Sequence, residues 1–326
     1  MKRLLALLVL SGISAQAQNL ISFGSGTNQF TMDFVTIGNP GNTADTTGGP
    51  NPGGSVAYTY QIGKYEVSRD MIEKATSAGS LGITLQDMTI YGGNGANRPA
   101  TGVSWNEAAR FVNWLNTSKG YQAAYNFTTS GANANITVWG AGQYSGSNQF
   151  RHKDAIYVLP TVDEWYKAAF GSPSGTWYNY PTGSDSVPTA VASGTLLDTA
   201  VYGRSSSVGP ADITNAGGLS AYGTMAQAGN VSEWHETAAD GSNNSASELR
   251  QRRGGWWGEG DSFALSASYR DASTPTTEHY IIGFRVASVV PEPSSLSLLM
   301  VGLGGLIAWN RRRKENSVEH AAPSPV

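Results

Sequence analysis

The chain has 326 residues, 14% of them charged, and a formal net charge of −3. This balance provides no positive surface field, so nucleic-acid binding is excluded. Cysteine is absent, which excludes disulfides, a thiolate nucleophile and every cysteine-ligated metal. Forty glycines together with nine tryptophans and fifteen tyrosines predict a loop-rich body whose core is built largely from aromatic side chains.

The N-terminus has the layout of a secretory signal peptide. Two basic residues precede an apolar run over residues 4–13, and Ala15-Gln16-Ala17 forms a cleavage site of small residues. These are the three parts of an export signal. We therefore predict that residues 1–17 are removed and that the exported protein begins at Gln18.

The exported chain opens with a polar segment, residues 18–57, which is punctuated by Gly, Pro and Asn. Alternating apolar and polar residues within it predict an opening strand over residues 30–37. The same alternation predicts a second strand over residues 58–67. Ser68 is then placed to cap a helix that ends near Ala78.

Two further helices are predicted to begin at capping boxes. Ser104 pairs with Glu107, and Thr161 pairs with Glu164. In such a pair each side chain accepts a hydrogen bond from the other residue's backbone amide. Short strands return in the last part of the body, so the order of elements indicates an α+β fold.

Residues 171–229 show no clear periodicity and read as one long loop. A loop of this length is uncommon inside a compact domain. Because it is polar and no disulfide is available, we expect a bound ion to hold it in place.

Six motifs resemble, in identity and order, the formylglycine-generating enzyme or sulfatase-modifying factor family. They are Gly63-Lys64-Tyr65-Glu66-Val67-Ser68, Pro99-Ala100-Thr101-Gly102-Val103-Ser104-Trp105, Leu159-Pro160-Thr161-Val162-Asp163-Glu164-Trp165, Gly229-Asn230-Val231-Ser232-Glu233-Trp234, Arg253-Gly254-Gly255-Trp256 and Gly283-Phe284-Arg285-Val286-Ala287. The resemblance covers residues 58–288. It implies a loop-rich α+β variant of the C-type-lectin-like fold, often with bound calcium.

The resemblance also implies an activity for which this sequence lacks the residues. Formylglycine-generating enzymes bind copper through two cysteines between the Arg-Gly-Gly and Gly-Phe-Arg motifs. Here residues 256–282 contain no cysteine, and Glu259, Asp261 and Ser262 are hard oxygen donors that do not suit Cu(I). A related branch binds iron through an added helical domain that does not fit this chain. Neither copper nor iron is therefore expected.

Calcium is the metal that the resemblance leaves open. Glu233 matches the family's calcium-binding glutamate. The backbone carbonyls of Ala228, Gly229 and Val231 match its neighbouring ligands. Glu66 matches a further carboxylate, and a set of oxygen donors suits calcium, which takes six to eight of them. The alternative is that Glu233 only accepts hydrogen bonds from the loop.

Four more residues are candidate ligand contacts, each with a structural alternative. Arg285 can bind an anion, although a buried clamp on loop carbonyls is the favoured interpretation. His235 can act as a base or as a satisfied core residue. Trp256 and Trp257 can stack on sugar rings, against the default of core packing.

The C-terminal segment, residues 289–314, resembles the PEP-CTERM sorting signal of exported bacterial proteins. Pro291-Glu292-Pro293 precedes an apolar run over residues 296–309 and a basic cluster at residues 311–314. The resemblance implies that an exosortase recognises the tripeptide. The apolar run predicts a transmembrane helix that is short against the usual span of about 20 residues, with the basic cluster on the cytoplasmic side. A polar tail, residues 315–326, follows.

The two terminal signals predict export, anchoring in the membrane through the C-terminus, and release to the cell surface or extracellular matrix after processing. Three functions remain open for the body. The favoured one is a non-catalytic, lectin-like domain that binds a polysaccharide or a surface protein. The others are a divergent metal-dependent oxidoreductase of the same family and a matrix scaffold without a small ligand.

Overall fold

The computed structural model describes residues 19–127 and 136–289. The predicted signal peptide and the predicted sorting segment with its transmembrane helix lie outside these ranges. No helix within them is long and apolar enough to cross a bilayer.

The α-helices are α1 (Arg69–Gly79), α2 (Trp105–Thr117) and α3 (Val162–Phe170). The strands are β1 (Asn19–Phe23), β2 (Phe30–Ile37), β3 (Tyr60–Gly63), β4 (Asn126–Phe127), β5 (Ile136–Thr137), β6 (Tyr157–Val158), β7 (Thr189–Ala190), β8 (Thr199–Ala200), β9 (Ser232–Ala238), β10 (Arg250–Arg253), β11 (Asp271–Ser273), β12 (Ile282–Gly283) and β13 (Ala287–Ser288).

Side-chain caps fix the residue at which each helix begins, as predicted. The Ser68 hydroxyl accepts a backbone hydrogen bond in the first turn of α1. At α2 the Ser104 hydroxyl accepts from the Glu107 amide, and the Glu107 carboxylate accepts from the Ser104 amide at 2.8 Å. Thr161 and Glu164 form the same reciprocal pair at α3. Local sequence alone is sufficient for these three starts.

An antiparallel five-stranded sheet has the order β1-β2-β3-β13-β6. The predicted opening strand is β2, with the predicted bounds. It pairs with β3, so residues 19–37 belong to the same compact unit as the motif-bearing body. β3 is shorter than the predicted strand because the chain turns after Gly63, where the Lys64 amide donates to the Asp33 carbonyl at 2.8 Å.

A second sheet has the order β11-β10-β9-β12, with β12 parallel to β9. Buried indoles attach the start of α2 to this sheet. The Trp105 Nε1 atom donates to the His235 carbonyl at 2.8 Å, and the Trp234 Nε1 atom donates to the Val103 carbonyl at 2.9 Å. Two sheets with capped helices and extensive loops confirm the α+β class.

The long loop over residues 171–229 packs around an apolar cluster of its own, and the ion expected to hold it in place stays a prediction. Part of it surrounds the fully buried side chain of Trp257, whose Nε1 atom donates to the Ser206 carbonyl at 3.2 Å. Val201 and Met225 are buried in the same apolar cluster. The sequence pattern missed this core because its apolar residues are widely spaced along the chain and meet only in the fold.

We predict that Trp257→Ala destabilises the protein by about 3–5 kcal/mol, because it leaves a cavity at the centre of this cluster. Urea unfolding monitored by circular dichroism measures the change. The matched control is Phe263→Ala, at a side chain 52% exposed, where a change within about 0.5 kcal/mol is expected. Equal effects for the two variants would contradict the packing account.

Candidate functional site

The predicted calcium ligand Glu233 forms a buried ion pair with Arg285. The Arg285 Nη2 and Nε atoms each lie 2.6 Å from one of the two carboxylate oxygens, so the pair is bidentate. Both side chains are completely buried. The Trp165 Nε1 atom also donates to Glu233, at 2.7 Å. Both carboxylate oxygens are therefore already bound by positively polarised donors.

The rest of the Arg285 guanidinium clamps backbone carbonyls. Its Nη1 atom donates to the Gly63 carbonyl at 2.9 Å, and its Nη2 atom donates to the Met225 carbonyl at 2.8 Å. These contacts join β3, the end of the long loop and β9, which carries Glu233. The favoured interpretation of Arg285 as a structural clamp agrees with this geometry.

Glu66 lies beside this pair and is also buried. Its carboxylate accepts a hydrogen bond from the Asn230 side chain at 2.5 Å and one from the Val231 amide at 3.2 Å. Burial and the charge of Glu233 raise the pKa of Glu66 well above its ordinary value, although Arg285 acts in the opposite direction. The fold thus brings Glu66 and Glu233 close together, as the sequence predicted. Each carboxylate accepts hydrogen bonds from protein groups.

These contacts do not fit the predicted calcium site. A cation at Glu233 would have to displace a buried guanidinium or lie beside it, at a high electrostatic cost in a low-dielectric environment. The turn that holds Ala228 and Gly229 is fixed by the protein itself, since the Gly229 amide donates to the Gly254 carbonyl at 2.6 Å. In the described ranges no three His, Asp or Glu side chains cluster as metal ligands would. Calcium binding stays a prediction that this geometry does not favour.

The other three predicted ligand contacts, His235, Trp256 and Trp257, differ in how deeply they are buried. His235 is fully buried, and neither of its ring nitrogens has a hydrogen-bond partner. Burial, with the charges of Arg253 and Arg285, holds the pKa of His235 well below its ordinary value, so the ring is neutral. Trp257 is completely buried and cannot reach a ligand without unfolding its cluster. Trp256 is only half-buried and packs edge-on against Tyr280, with ring centroids 6.2 Å apart.

A cleft of about 500 Å³ lies elsewhere, between β2, the segment after β3 and the first turns of α1. Its wall carries the buried carboxylate of Glu66 and apolar side chains that include Met32 and Met71. Asp33 projects from β2 with a side chain that is 8% exposed. One of its oxygens, Oδ1, is buried and has no hydrogen-bond partner.

The Asp33 carboxylate has one cationic side chain near it, at the outer limit of ion-pair distance. The Lys64 Nζ atom lies 3.8 Å from the other oxygen, Oδ2. Burial raises the pKa of Asp33, and the Lys64 ammonium opposes that rise. An unpaired carboxylate oxygen in a cleft is costly unless a ligand or water donates to it. Asp33 was not among the predicted site residues; its only signal in the sequence is that it is the one charged residue in the predicted opening strand.

The fold and the ordered motifs together define the class of the protein. Residues 18–290 match the family described as the sulfatase-modifying factor enzyme 1-like domain, and residues 289–314 match the PEP-CTERM protein-sorting motif. The chain belongs to the sulfatase-modifying factor enzyme 1-like family. No curated protein matches it.

Solved structures with the same fold span most of the chain. Treponema denticola variable protein 1 has a TM-score of 0.58 and 19% identity, covering 83% of this chain and 98% of its own. CarF has a TM-score of 0.55 and 19% identity, with coverages of 80% and 99%. PvdO from Pseudomonas aeruginosa has a TM-score of 0.52 and 18% identity, with coverages of 83% and 98%. At such identities these similarities establish the fold alone.

We predict that Glu233→Gln destabilises the protein by about 3–5 kcal/mol, because it leaves the Arg285 guanidinium buried without its counter-charge. Chemical unfolding measures the loss. The control is Asp70→Asn, which breaks the exposed pair with Lys74 on α1 and should cost about 0.3–0.5 kcal/mol.

The melting temperature of the unmodified protein should be the same in millimolar calcium and in chelator. A fall on chelation that Glu233→Gln abolishes would establish the calcium site instead.

Proposed function

We propose that the protein is an exported, non-catalytic binding protein that holds a glycan in the cleft beside Asp33. The observation that carries this proposal is the carboxylate of Asp33, which lines a cleft large enough for a sugar and whose buried Oδ1 atom has no hydrogen-bond partner. The sorting motif supports export, and the family match supplies the fold that would carry the binding role.

The lining of the cleft suits a sugar. Sugar hydroxyl groups are hydrogen-bond donors that the Asp33 carboxylate lacks, and a hydrogen bond to an ionised acceptor contributes more than one between neutral groups. Phe30, Met32 and Met71 supply apolar surface against which the C–H face of a sugar ring packs. Tyr65 adds a half-buried ring with a polar tip. A few polar groups among apolar walls is the usual make-up of a small-ligand site.

Catalysis by the family's copper chemistry is not supported, because the whole sequence contains no cysteine. In the interval where the resemblance places the copper ligands, Asp261 instead caps a short 3₁₀-helix by accepting from the Phe263 amide at 2.9 Å. Loss of thiol from a Cys-x-Pro-x-Arg peptide, above a control without protein, would identify the protein as an oxidase after all.

The C-terminal motif supports sorting by an exosortase. We expect the protein to be anchored in the membrane through residues 289–314 and then to be processed and delivered to the cell surface or matrix.

We predict that Asp33→Asn weakens glycan binding at least tenfold, because the charge-assisted hydrogen bond is lost. The purified protein is first applied to an array of neutral, amino and acidic glycans, and the strongest hit is then titrated by calorimetry. The control is Asp154→Asn, at a side chain 66% exposed and outside the cleft. Binding by both variants as strong as that of the unmodified protein, or binding to no glycan at all, would contradict the proposal.

Sorting gives a separate prediction. Glu292→Ala removes the acidic residue of Pro291-Glu292-Pro293, so the unprocessed form should accumulate in the membrane of an exosortase-bearing host. Immunoblots of membrane and extracellular fractions measure the two forms. The control is Glu315→Ala, in the polar tail, which should be processed normally. Equal yields of processed protein from Glu292→Ala and the unmodified chain would refute the sorting role.

A further inference from the structure

A second cleft, of about 180 Å³, lies at the end of α3, on different residues from the cleft at Asp33. It is formed by α3, the loop around residues 39–43 and the loop over residues 171–177. The half-buried ring of Trp177 lies on one side. The rest of the wall is polar and uncharged apart from one lysine.

That lysine, Lys167, is 1% exposed. Its Nζ atom donates one hydrogen bond, to the Asn39 carbonyl at 2.8 Å. Within the described ranges no carboxylate lies close enough to form an ion pair with it. A buried ammonium that lacks a counter-charge destabilises a fold. A bound anion would supply the missing counter-charge and so stabilise the buried ammonium.

We propose that this cleft binds the carboxylate of an acidic sugar, with Lys167 as the counter-charge. The Asn39 carbonyl uses one of the three ammonium donors, which leaves two for the carboxylate. Thr176 places an exposed hydroxyl group in the same wall, and this group can exchange hydrogen bonds with sugar hydroxyls, whereas the Ser172 hydroxyl donates to the Thr176 carbonyl at 3.0 Å and holds the loop. Trp177 offers an aromatic face to the ring. An inorganic anion would use the ammonium but not the indole.

The protonation state of Lys167 provides a pH signature. Burial lowers the pKa of Lys167 to about 8, so the ammonium is present at neutral pH and is lost a little above it. Tyr222 is the other titratable side chain in this wall, and burial raises its pKa, so it stays neutral. The loops over residues 39–43 and 171–177 contribute no titratable side chain. Affinity for a carboxylate should therefore fall by about tenfold for each pH unit above the pKa of Lys167.

The test is calorimetric titration of the purified protein with sodium glucuronate, with glucose and with sodium sulfate. We expect glucuronate to bind, glucose to bind at least tenfold more weakly, and glucuronate affinity to decrease from about pH 7 to about pH 9.5 as Lys167 deprotonates. Lys167→Met should abolish glucuronate binding while keeping or raising the melting temperature, because an uncompensated buried charge has been removed. Lys153→Met, at an exposed lysine, is the matched control and should bind normally.

Three results would overturn the inference: equal affinity for glucuronate and glucose, binding of sulfate without glucuronate, or a glucuronate affinity that does not change with pH. The pH series uses the unmodified protein, so it decides the matter even if Lys167→Met fails to fold. Asp33→Asn should leave glucuronate binding at Lys167 unchanged. Failure of the glycan cleft at Asp33 and failure of this site can therefore be told apart.

Discussion

The guanidinium of Arg285 is the contact on which the two sheets depend. Arg285 lies in the short stretch where the chain leaves β12, in one sheet, and enters β13, in the other. From that position it binds Glu233 on β9, the Gly63 carbonyl at the end of β3 and the Met225 carbonyl of the long loop. A buried arginine with a bidentate partner and further acceptors satisfies both its charge and its donors. Loss of either partner would leave a charge that the interior cannot solvate.

The same network closes the long loop without a disulfide. Asn230, which adopts a left-handed conformation with φ 58°, donates to Glu66 and accepts from the Ala211 amide at 2.8 Å. A side chain at Gly229 would collide with the Val201 carbonyl, which lies 2.1 Å from the position of an added Cβ. Glycine is therefore required at that point. Tight backbone contacts and the cluster around Trp257 therefore hold this part of the loop.

The motifs that identify the family mostly build its frame. Ser104, Thr161 and Glu164 cap helices, and Trp165 and Arg285 hold Glu233. All of these side chains are buried except that of Thr161, which is partly exposed. The two clefts proposed for ligands are lined largely by residues outside the motifs, such as Asp33 and Trp177. Lys167 lies two residues after one of the motifs. Its buried ammonium has no carboxylate within ion-pair distance in the described part of the chain. A frame built by the motifs, with clefts lined largely by other residues, is an arrangement in which one fold can serve different functions at separate sites.

The sequence by itself determined the features that depend on near neighbours along the chain. The three helix starts, the opening strand over residues 30–37 and the α+β class follow from caps and alternation, which act over a few residues. The absence of cysteine removed the copper site outright, since no fold can supply a missing ligand. The two terminal signals could also be identified from the sequence, because export and sorting signals are short contiguous segments.

Only the tertiary structure decided how distant polar groups are paired. Glu233 resembles a metal ligand in its motif, but it meets Arg285 from 52 residues away, and no local pattern reports that contact. The order of the loop over residues 171–229 arises from scattered apolar residues that converge on Trp257. The buried Asp33 oxygen without a hydrogen-bond partner and the buried Lys167 ammonium without a counter-charge likewise follow from burial. Burial depends on the whole fold, because it is set by every segment that packs around a side chain.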